Sequence, residues 1–414
     1  MGRVPTFAIL ADDLAGACDA GVQFVRADYS TIVHFDQDLT FRPDEADTVV
    51  LDTETRLLPE KVAYQQVFKA GLPFRQAEVI VKKIDSALRG PIAAEVAAAL
   101  QATQRKIAVI APAFPQLGRT TLQGKQLIHG IPVDQSEFAH DPLTPALQSH
   151  IPTLLSAAGI GPGKCISVKD LNQSNLEQIL TNDFRWIVAD AETNEHLDLL
   201  VSSIPDHSNL LWVGSAGLAR SIANFFAEDG GQKRQIPFDK NLRILAVIGS
   251  MSEVAHKQIA YAVRQSGILP VEIPLNEVVG DHDPVLTMKV LNMVRGCFTT
   301  GESALIYISS KSRGEQVLPP SLRSSRPHML TGLLAEITAR LADEGLFDVV
   351  ILSGGYTAVH VARRLGAWGI ELLGELEAGI PVGKLLGCSP FLAITKAGSF
   401  GEQASLYNCI EAFR

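Results

Sequence analysis

Short apolar, β-branched runs alternate with longer stretches of helical periodicity along almost the whole chain. In the first half the runs are Phe7–Ala11, Thr31–Phe35, Thr48–Asp52, Val79–Lys83, Ile107–Ala111, Trp186–Ala189 and Leu210–Val213. Each is apolar through its interior rather than alternating, the pattern of a strand buried on both faces of a mostly parallel sheet. Helical periodicity follows several of them. The stretch from Pro91 to Thr103 begins with a proline directly after Gly90, which suits the first turn of a helix. Thr120–Val133 breaks the rhythm and predicts a small hairpin or loop insertion.

The pattern stops at Glu228–Asn241, EDGGQKRQIPFDKN, which is polar and carries both Gly and Pro, as a linker does. Beyond it the rhythm restarts with RILAVIGS, a helix from Ser252, LPVEIPL, a helix through Met293 and SALIYIS. A helix over 330–344, DVVILSGG, GIELLG, FLAITKAG and a short terminal helix complete the chain. The prediction is an α/β fold of two α/β domains with mostly parallel sheets, residues 1–230 and 242–414, and an active-site cleft between them.

Composition agrees. At 414 residues the chain exceeds one ordinary core. With 46% hydrophobic and 20% charged residues it is not a largely disordered chain. A formal net charge of −9 offers no attraction for nucleic acid or an anionic membrane, so neither is an expected partner. The five cysteines are scattered and never form C-x-x-C, which offers neither a zinc site nor a disulfide framework. MGRVPTFAILADD holds too short an apolar run for a signal peptide, and no run nears the roughly 18 residues of a membrane span. A cytoplasmic setting is therefore expected.

Ligands of open α/β sheets bind beyond the carboxyl ends of the strands, so the strand-to-helix turns carry the candidate chemistry. The first is Ala11-Asp12-Asp13-Leu14-Ala15-Gly16. Two adjacent carboxylates can orient hydroxyls, hold a metal or take a proton. One aspartate, Asp13 for choice, can equally N-cap the helix. A cap needs only one of the pair, which makes Asp12 the functional candidate. Arg56, after Asp52-Thr53-Glu54-Thr55, can grip a carboxylate through two parallel hydrogen bonds or pair with Glu54.

The fourth strand ends in Lys82-Lys83-Ile84-Asp85-Ser86-Ala87-Leu88-Arg89-Gly90. Strand alternation puts Lys82 and Lys83 on opposite faces, so one of them is expected to point into the site. Three such turns on one sheet edge would mix cations for a carboxylate with acceptors for hydroxyls. A polyhydroxy acid needs both.

The second half offers glycine-rich turns instead: Gly249-Ser250-Met251-Ser252, Ser353-Gly354-Gly355-Tyr356-Thr357 and Lys396-Ala397-Gly398-Ser399-Phe400-Gly401. Glycine lets backbone approach a ligand closely, and free N–H groups at a helix start attract phosphate. Tight β-to-α turns also need glycine for packing alone. Ser252 is in place to N-cap its helix, and Lys396 is a candidate donor to a transferred group. Gly379-Ile380-Pro381-Val382-Gly383-Lys384-Leu385 has only a superficial likeness to a P-loop. No G-x-G-x-x-G, H-E-x-x-H or G-x-S-x-G is present, and the ten histidines form no ligand cluster.

LADDLAGACDAG, KKIDSALRGP, APAFPQLGRTT, GSAGLA, GSMS, SGGYTA and KAGSFG, in this order over essentially the whole chain, resemble the four-carbon acid sugar kinase family, which acts on threonate, erythronate or 3-oxo-tetronate. The resemblance implies an N-terminal substrate domain, a C-terminal ATP domain and γ-phosphoryl transfer to the terminal hydroxyl, with Mg²⁺ bridging the phosphates. It places Asp12, Arg56, Lys82, Lys83, Ile84 and Asp85 at substrate-contact positions, with Asp12 or Asp85 beside the attacking hydroxyl. It places Ser252, Gly354, Gly355, Tyr356, Thr357 and Gly398 at ATP-contact positions. Leu14-Ala15 departs from the Phe-Thr of many relatives, and the acidic Asp-Thr-Glu-Thr before Arg56 is similar to the D-threonate branch. A hydroxy-acid dehydrogenase or a non-catalytic sugar-acid binding protein would share the alternating pattern. The dehydrogenase would need the missing dinucleotide fingerprint, and the binding protein would ordinarily need an export signal.

Overall fold

The computed structural model describes residues 5–35, 46–141, 144–227, 239–278, 283–299, 303–309, 326–398 and 400–414. The chain divides into two compact units, Met1–Arg234 and Gln235–Arg414. Most of the expected linker, residues 228–238, lies outside the described residues.

The first unit begins β1 (Phe7–Ala11), α1 (Leu14–Arg26), β2 (Thr31–His34), β3 (Thr48–Asp52), α2 (Glu60–Gly71), β4 (Val79–Lys83), α3 (Ile92–Thr103) and β5 (Ile107–Ala111). It continues with β6 (Arg119–Leu122), β7 (Lys125–Ile128), β8 (Ile131–Pro132), α4 (Ile151–Ala157), β9 (Gly163–Ile166) and α5 (Gln173–Leu180). The unit ends on β10 (Trp186–Ala189), α6 (Asn194–Ser202), β11 (Leu210–Gly214) and α7 (Ala216–Phe226). Its main sheet runs β2-β3-β1-β4-β11-β5-β10-β9, parallel throughout. β1, β3, β4, β5 and β11 are buried at every position, which is why their sequences lack alternation. The insertion is a separate antiparallel sheet, β6-β7-β8.

The second unit begins β12 (Ile244–Ile248), α8 (Glu253–Ser266), β13 (Leu269–Pro274), α9 (Pro284–Thr299), β14 (Ala304–Ser309) and α10 (Arg326–Asp343). It continues with β15 (Val349–Ser353), α11 (Gly355–Arg364), β16 (Gly369–Glu377), β17 (Ile380–Leu386), β18 (Leu392–Lys396) and α12 (Ser405–Glu411). Here β13-β14-β12-β15-β18 are parallel, and β17 and β16 extend the sheet antiparallel. The P-loop lookalike at 379–385 is thus the start of a strand paired on both sides, with no phosphate-binding turn. Buried Ile244, Ala246, Ile248, Ile351 and Ile394 pack against Ala255, Ile259, Leu406 and Cys409, covering one face of the sheet with α8 and α12. Among the described residues no helix is long and apolar enough to cross a membrane.

Candidate active site

Strand register decides which turns meet. In the first unit Ala11 lies beside both Asp52 and Lys83, and Gly214 lies beside both Lys83 and Ala111. Because these strands are parallel, the turns after β1, β3, β4, β5 and β11 open on one edge. The expectation that the carboxylate and cation turns share an edge therefore holds within this unit.

Asp13 caps α1, accepting from the Gly16 amide at 2.8 Å. Asp12 faces Arg56, which donates from Nε to Oδ2 at 2.8 Å and from Nη2 to Oδ1 at 2.9 Å. The same guanidinium reaches Asp13 Oδ2 at 2.6 Å and Oδ1 at 2.7 Å. Glu54 takes a left-handed φ of 47° just before the turn to Arg56, and the amides of Thr55 and Arg56 both donate to the Asp12 carbonyl. Gly90 (φ 92°) lies so close to Arg56 that a side-chain carbon there would sit 3.2 Å from the Arg56 carbonyl oxygen. Arg56 pairs with the two aspartates, and this is the geometry that replaces the pairing with Glu54 that sequence allowed.

Burial pushes the Asp12 carboxyl up, and Arg56, Lys83 and Lys82 outweigh it, holding the group below the ordinary carboxylate range. Burial likewise acts to lower Arg56, and Asp12, Asp13 and Asp85 raise it well above its usual value.

On β4 the two lysines part company. Lys82 is fully buried and directs its ammonium to Glu95 Oε2 at 2.9 Å, Lys83 O at 2.8 Å and Leu10 O at 3.3 Å. All three N–H donors are thereby engaged inside the protein, so Lys82 is a strut between β1, β4 and α3. Lys83 lies over the start of α1: a side-chain carbon on Gly16 would sit 2.7 Å from its nitrogen and 2.6 Å from Asp13 Oδ1. Its ammonium makes one hydrogen bond among the described residues, to Ile84 O at 2.9 Å. Of the two lysines, Lys83 is therefore the one with ammonium donors not taken up by protein partners among the described residues. Ile84 is fully buried and ties this turn to β11 through its amide, which donates to Gly214 O at 2.9 Å.

Asp85 accepts from Arg89 Nε at 2.7 Å and Nη2 at 3.1 Å, while Arg89 Nη1 reaches Asp141 at 3.0 Å. Burial would raise Asp85, but Arg89, Arg56 and Arg119 hold it far below the usual carboxylate range. Three neighbours, Glu95, Arg119 and Phe138, were not foreseen. Glu95 neutralises Lys82, Arg119 donates to the Ser86 hydroxyl, and the Arg89 and Arg119 guanidinium carbons lie 5.1 and 5.3 Å from the centre of the Phe138 ring. Only Glu95 left a signal, as the lone carboxylate in the apolar helix IAAEVAAAL.

In the second unit Ile248 lies beside Ser353 and Ser353 beside Lys396, so the three glycine-rich turns share one carboxyl edge. Gly354 has φ 105°, and no side chain caps the helix that Gly355 begins. A helix start without a side-chain cap is a place where an anion is favoured. Tyr356 follows with its phenol hydrogen-bonded to His328 and its ring 4.2 Å from that of His360, which keeps His360 in a packing role. Thr357 packs on Gly249, where a side-chain carbon would fall 1.9 Å from the threonine hydroxyl oxygen.

Ser252 caps α8 through Ala255 N at 3.1 Å and donates to Gly398 O at 2.8 Å. A side-chain carbon on Gly398 would fall 2.0 Å from Ser250 Oγ. These six candidates, Ser252, Gly354 to Thr357 and Gly398, therefore border one group of turns. Lys396 turns inward, donating to Ala397 O at 3.0 Å and Phe400 O at 2.9 Å, and burial lowers its pKa to about 8. Ser399 lies outside the described residues.

No group of three or more His, Cys, Asp or Glu among the described residues stands ready to hold a metal. Asp12, Asp13 and Asp85 are each engaged by arginine. A protein-built Mg²⁺ site does not fit these residues.

Known proteins align along this whole architecture. Residues 7–222 match the family model described as a sugar-binding N-terminal domain, and residues 245–406 the one described as a nucleotide-binding C-terminal domain. The chain is 30% identical to a D-threonate kinase of Salmonella typhimurium, over 97% of each sequence. A 3-oxo-tetronate kinase of the same organism is 25% identical over 96% of each. A solved structure from Salmonella typhimurium superposes with a TM-score of 0.81 at 22% identity, covering 99% of both chains, and shares the fold.

Proposed function

Since the chain belongs to the four-carbon acid sugar kinases and is an ATP-dependent sugar-acid kinase, we propose that it phosphorylates the terminal C4 hydroxyl of D-threonate. The observation that carries this reading is the contrast between two sheet edges. One gathers Asp12, Arg56, Lys83 and Asp85; the other surrounds an uncapped helix start with glycine turns. Cations and hydroxyl acceptors suit a polyhydroxy acid, and the backbone amides of a helix start suit phosphate.

Each residue then has a role. Lys83 has ammonium donors beyond its one hydrogen bond to Ile84 O, and takes the substrate carboxylate. Asp12 uses one lone pair on each oxygen for Arg56 and keeps others for a substrate hydroxyl. Asp12 and Asp85 are both held ionised and are therefore weak bases. That suits a loose phosphoryl-transfer transition state, in which the attacking hydroxyl must be aimed more than deprotonated. The amides at Gly355 to Thr357 hold phosphate, and Ser252 and Gly398 shape the wall beside them. Mg²⁺ would arrive with the nucleotide, held mainly by phosphate oxygens and water.

D-threonate is favoured over its relatives by the higher identity to a D-threonate kinase and by the acidic segment before Arg56. A coupled ADP-release screen of D- and L-threonate, D- and L-erythronate and their 3-oxo forms tests this. The highest kcat/KM is expected with D-threonate. A clear preference for any other compound in the panel replaces the substrate, and no ADP release with any of them removes the reading.

A further inference from the structure

Lys396 is 2% exposed and ends β18, the strand that leads into the Gly398 turn. A buried ammonium ordinarily has a carboxylate partner, because an uncompensated charge in a poorly solvated site is costly. Lys396 has carbonyl partners instead, Ala397 O and Phe400 O, both on the turn it introduces. Neighbouring side chains hold the same turn. Gln258 Nε2 on α8 donates to Phe400 O at 3.0 Å and Glu402 O at 2.9 Å, and Ser252 Oγ donates to Gly398 O at 2.8 Å.

Parallel register sets Ser353 beside Lys396 at the start of the Gly354-Gly355 turn, and the buried Ser353 hydroxyl has no hydrogen-bond partner among the described residues. Among the described residues, two titratable groups face Lys396. The Cys409 thiol on α12 is pushed by burial up to about 12 and is neutral, and Glu377 at the end of β16 accepts from Ser405 and Asn408. On β12 and β15 the in-register neighbours, Ile248 and Ser353, carry no charge.

We propose that Lys396 is a positioning residue for the nucleotide: its buried ammonium fixes the Gly398 turn from behind and lends that edge a positive charge which the phosphates of ATP complete. This rests on the assignment of ATP to the second unit. Binding of the anion then stabilises the charged lysine, so ATP binding takes up a proton where the free protein has begun to lose it, above about pH 8.

Calorimetric titration of ATP into wild type, Lys396→Met and Lys396→Arg at pH 7 and pH 9 tests the proposal. Lys396→Met is expected to weaken ATP about tenfold or more at pH 7, while KM for the sugar acid is unchanged. Wild type is expected to weaken from pH 7 to pH 9 by more than either variant, since neither variant loses a charge in that range. Wild-type ATP affinity in Lys396→Met, or an equal pH response in all three proteins, overturns the role of Lys396. Should Lys396→Met fail to fold, the comparison of Lys396→Arg with wild type across the two pH values decides alone. A wild-type protein that bound no ATP at pH 7 would remove the nucleotide assignment itself, a result distinct from either.

Discussion

Arg56 and Asp12 meet side-on through two parallel hydrogen bonds of 2.8 and 2.9 Å, with Asp13 completing the arginine's engagement. The guanidinium is therefore held in place by two carboxylates. Its value lies in fixed geometry, because the half-buried fork is held by four hydrogen bonds to the aspartates and one Nη1 hydrogen lies outside them.

Replacing Arg56 by lysine keeps a charge and loses that fork. KM for the sugar acid is expected to rise about tenfold to a few hundredfold, with KM for ATP changed less than about twofold. Steady-state kinetics with each substrate varied in turn reads the split. A change confined to ATP would reverse the roles of the two units.

Lys82 and Lys83 are adjacent, yet their replacements are expected to differ. Glu95→Ala leaves the Lys82 ammonium buried without its carboxylate and should destabilise the protein by about 3–5 kcal/mol, read from urea unfolding. The paired replacement Lys82→Met with Glu95→Leu should recover most of that loss. Lys83→Met should instead abolish most activity with a much smaller change in the unfolding midpoint. Similar stability losses for Glu95→Ala and the paired variant would mean that the ion pair is not what holds these strands.

Acid stability follows from Asp12 and Asp85. Both have folded-state pKa values below the unfolded value of about 3.9, so the unfolded chain binds more protons as pH drops. Their stabilisation is fully present above about pH 5 and is lost as pH falls through about 4 toward the lower folded values. Urea midpoints should be level near neutrality on their account and decline below that point. Asp85→Asn should be less stable at pH 7 and show a shallower decline. An unaltered slope would assign the acid sensitivity to other carboxylates.

Much of the fold was legible because strands buried on both faces write themselves as short apolar runs. β1, β3, β4, β5 and β10 fall on the residues read from sequence. β9 (GKCI) has two exposed positions and no apolar run to betray it, and β17 hid inside a glycine-rich stretch that imitates a phosphate loop. At the site, sequence could name the charged residues of a turn and could not tell which charges cancel. Arg56 finds its partners 43 and 44 residues away, and Arg119 finds Ser86 across 33. Strand alternation parts the two lysines, both of them buried, and only Glu95 reveals which one is paired with a carboxylate inside the protein.

The close approach of Gly398 to Ser250 gives a test confined to the second unit. Gly398→Ala sets a methyl 2.0 Å from Ser250 Oγ and must displace the turn, so ATP affinity should fall by about tenfold or more. Adding Ser250→Gly removes the obstructing hydroxymethyl and should restore part of the loss. No loss in the single variant, measured by ATP titration, would place the nucleotide away from Gly398.

The identity of the product tests the account most directly. Wild-type protein incubated with ATP, Mg²⁺ and D-threonate should yield ADP and one new phosphomonoester. In proton-coupled ³¹P NMR its phosphorus should couple to the two methylene protons of C4. Coupling to a single methine proton, or the appearance of inorganic phosphate alone, would contradict phosphorylation of the terminal hydroxyl.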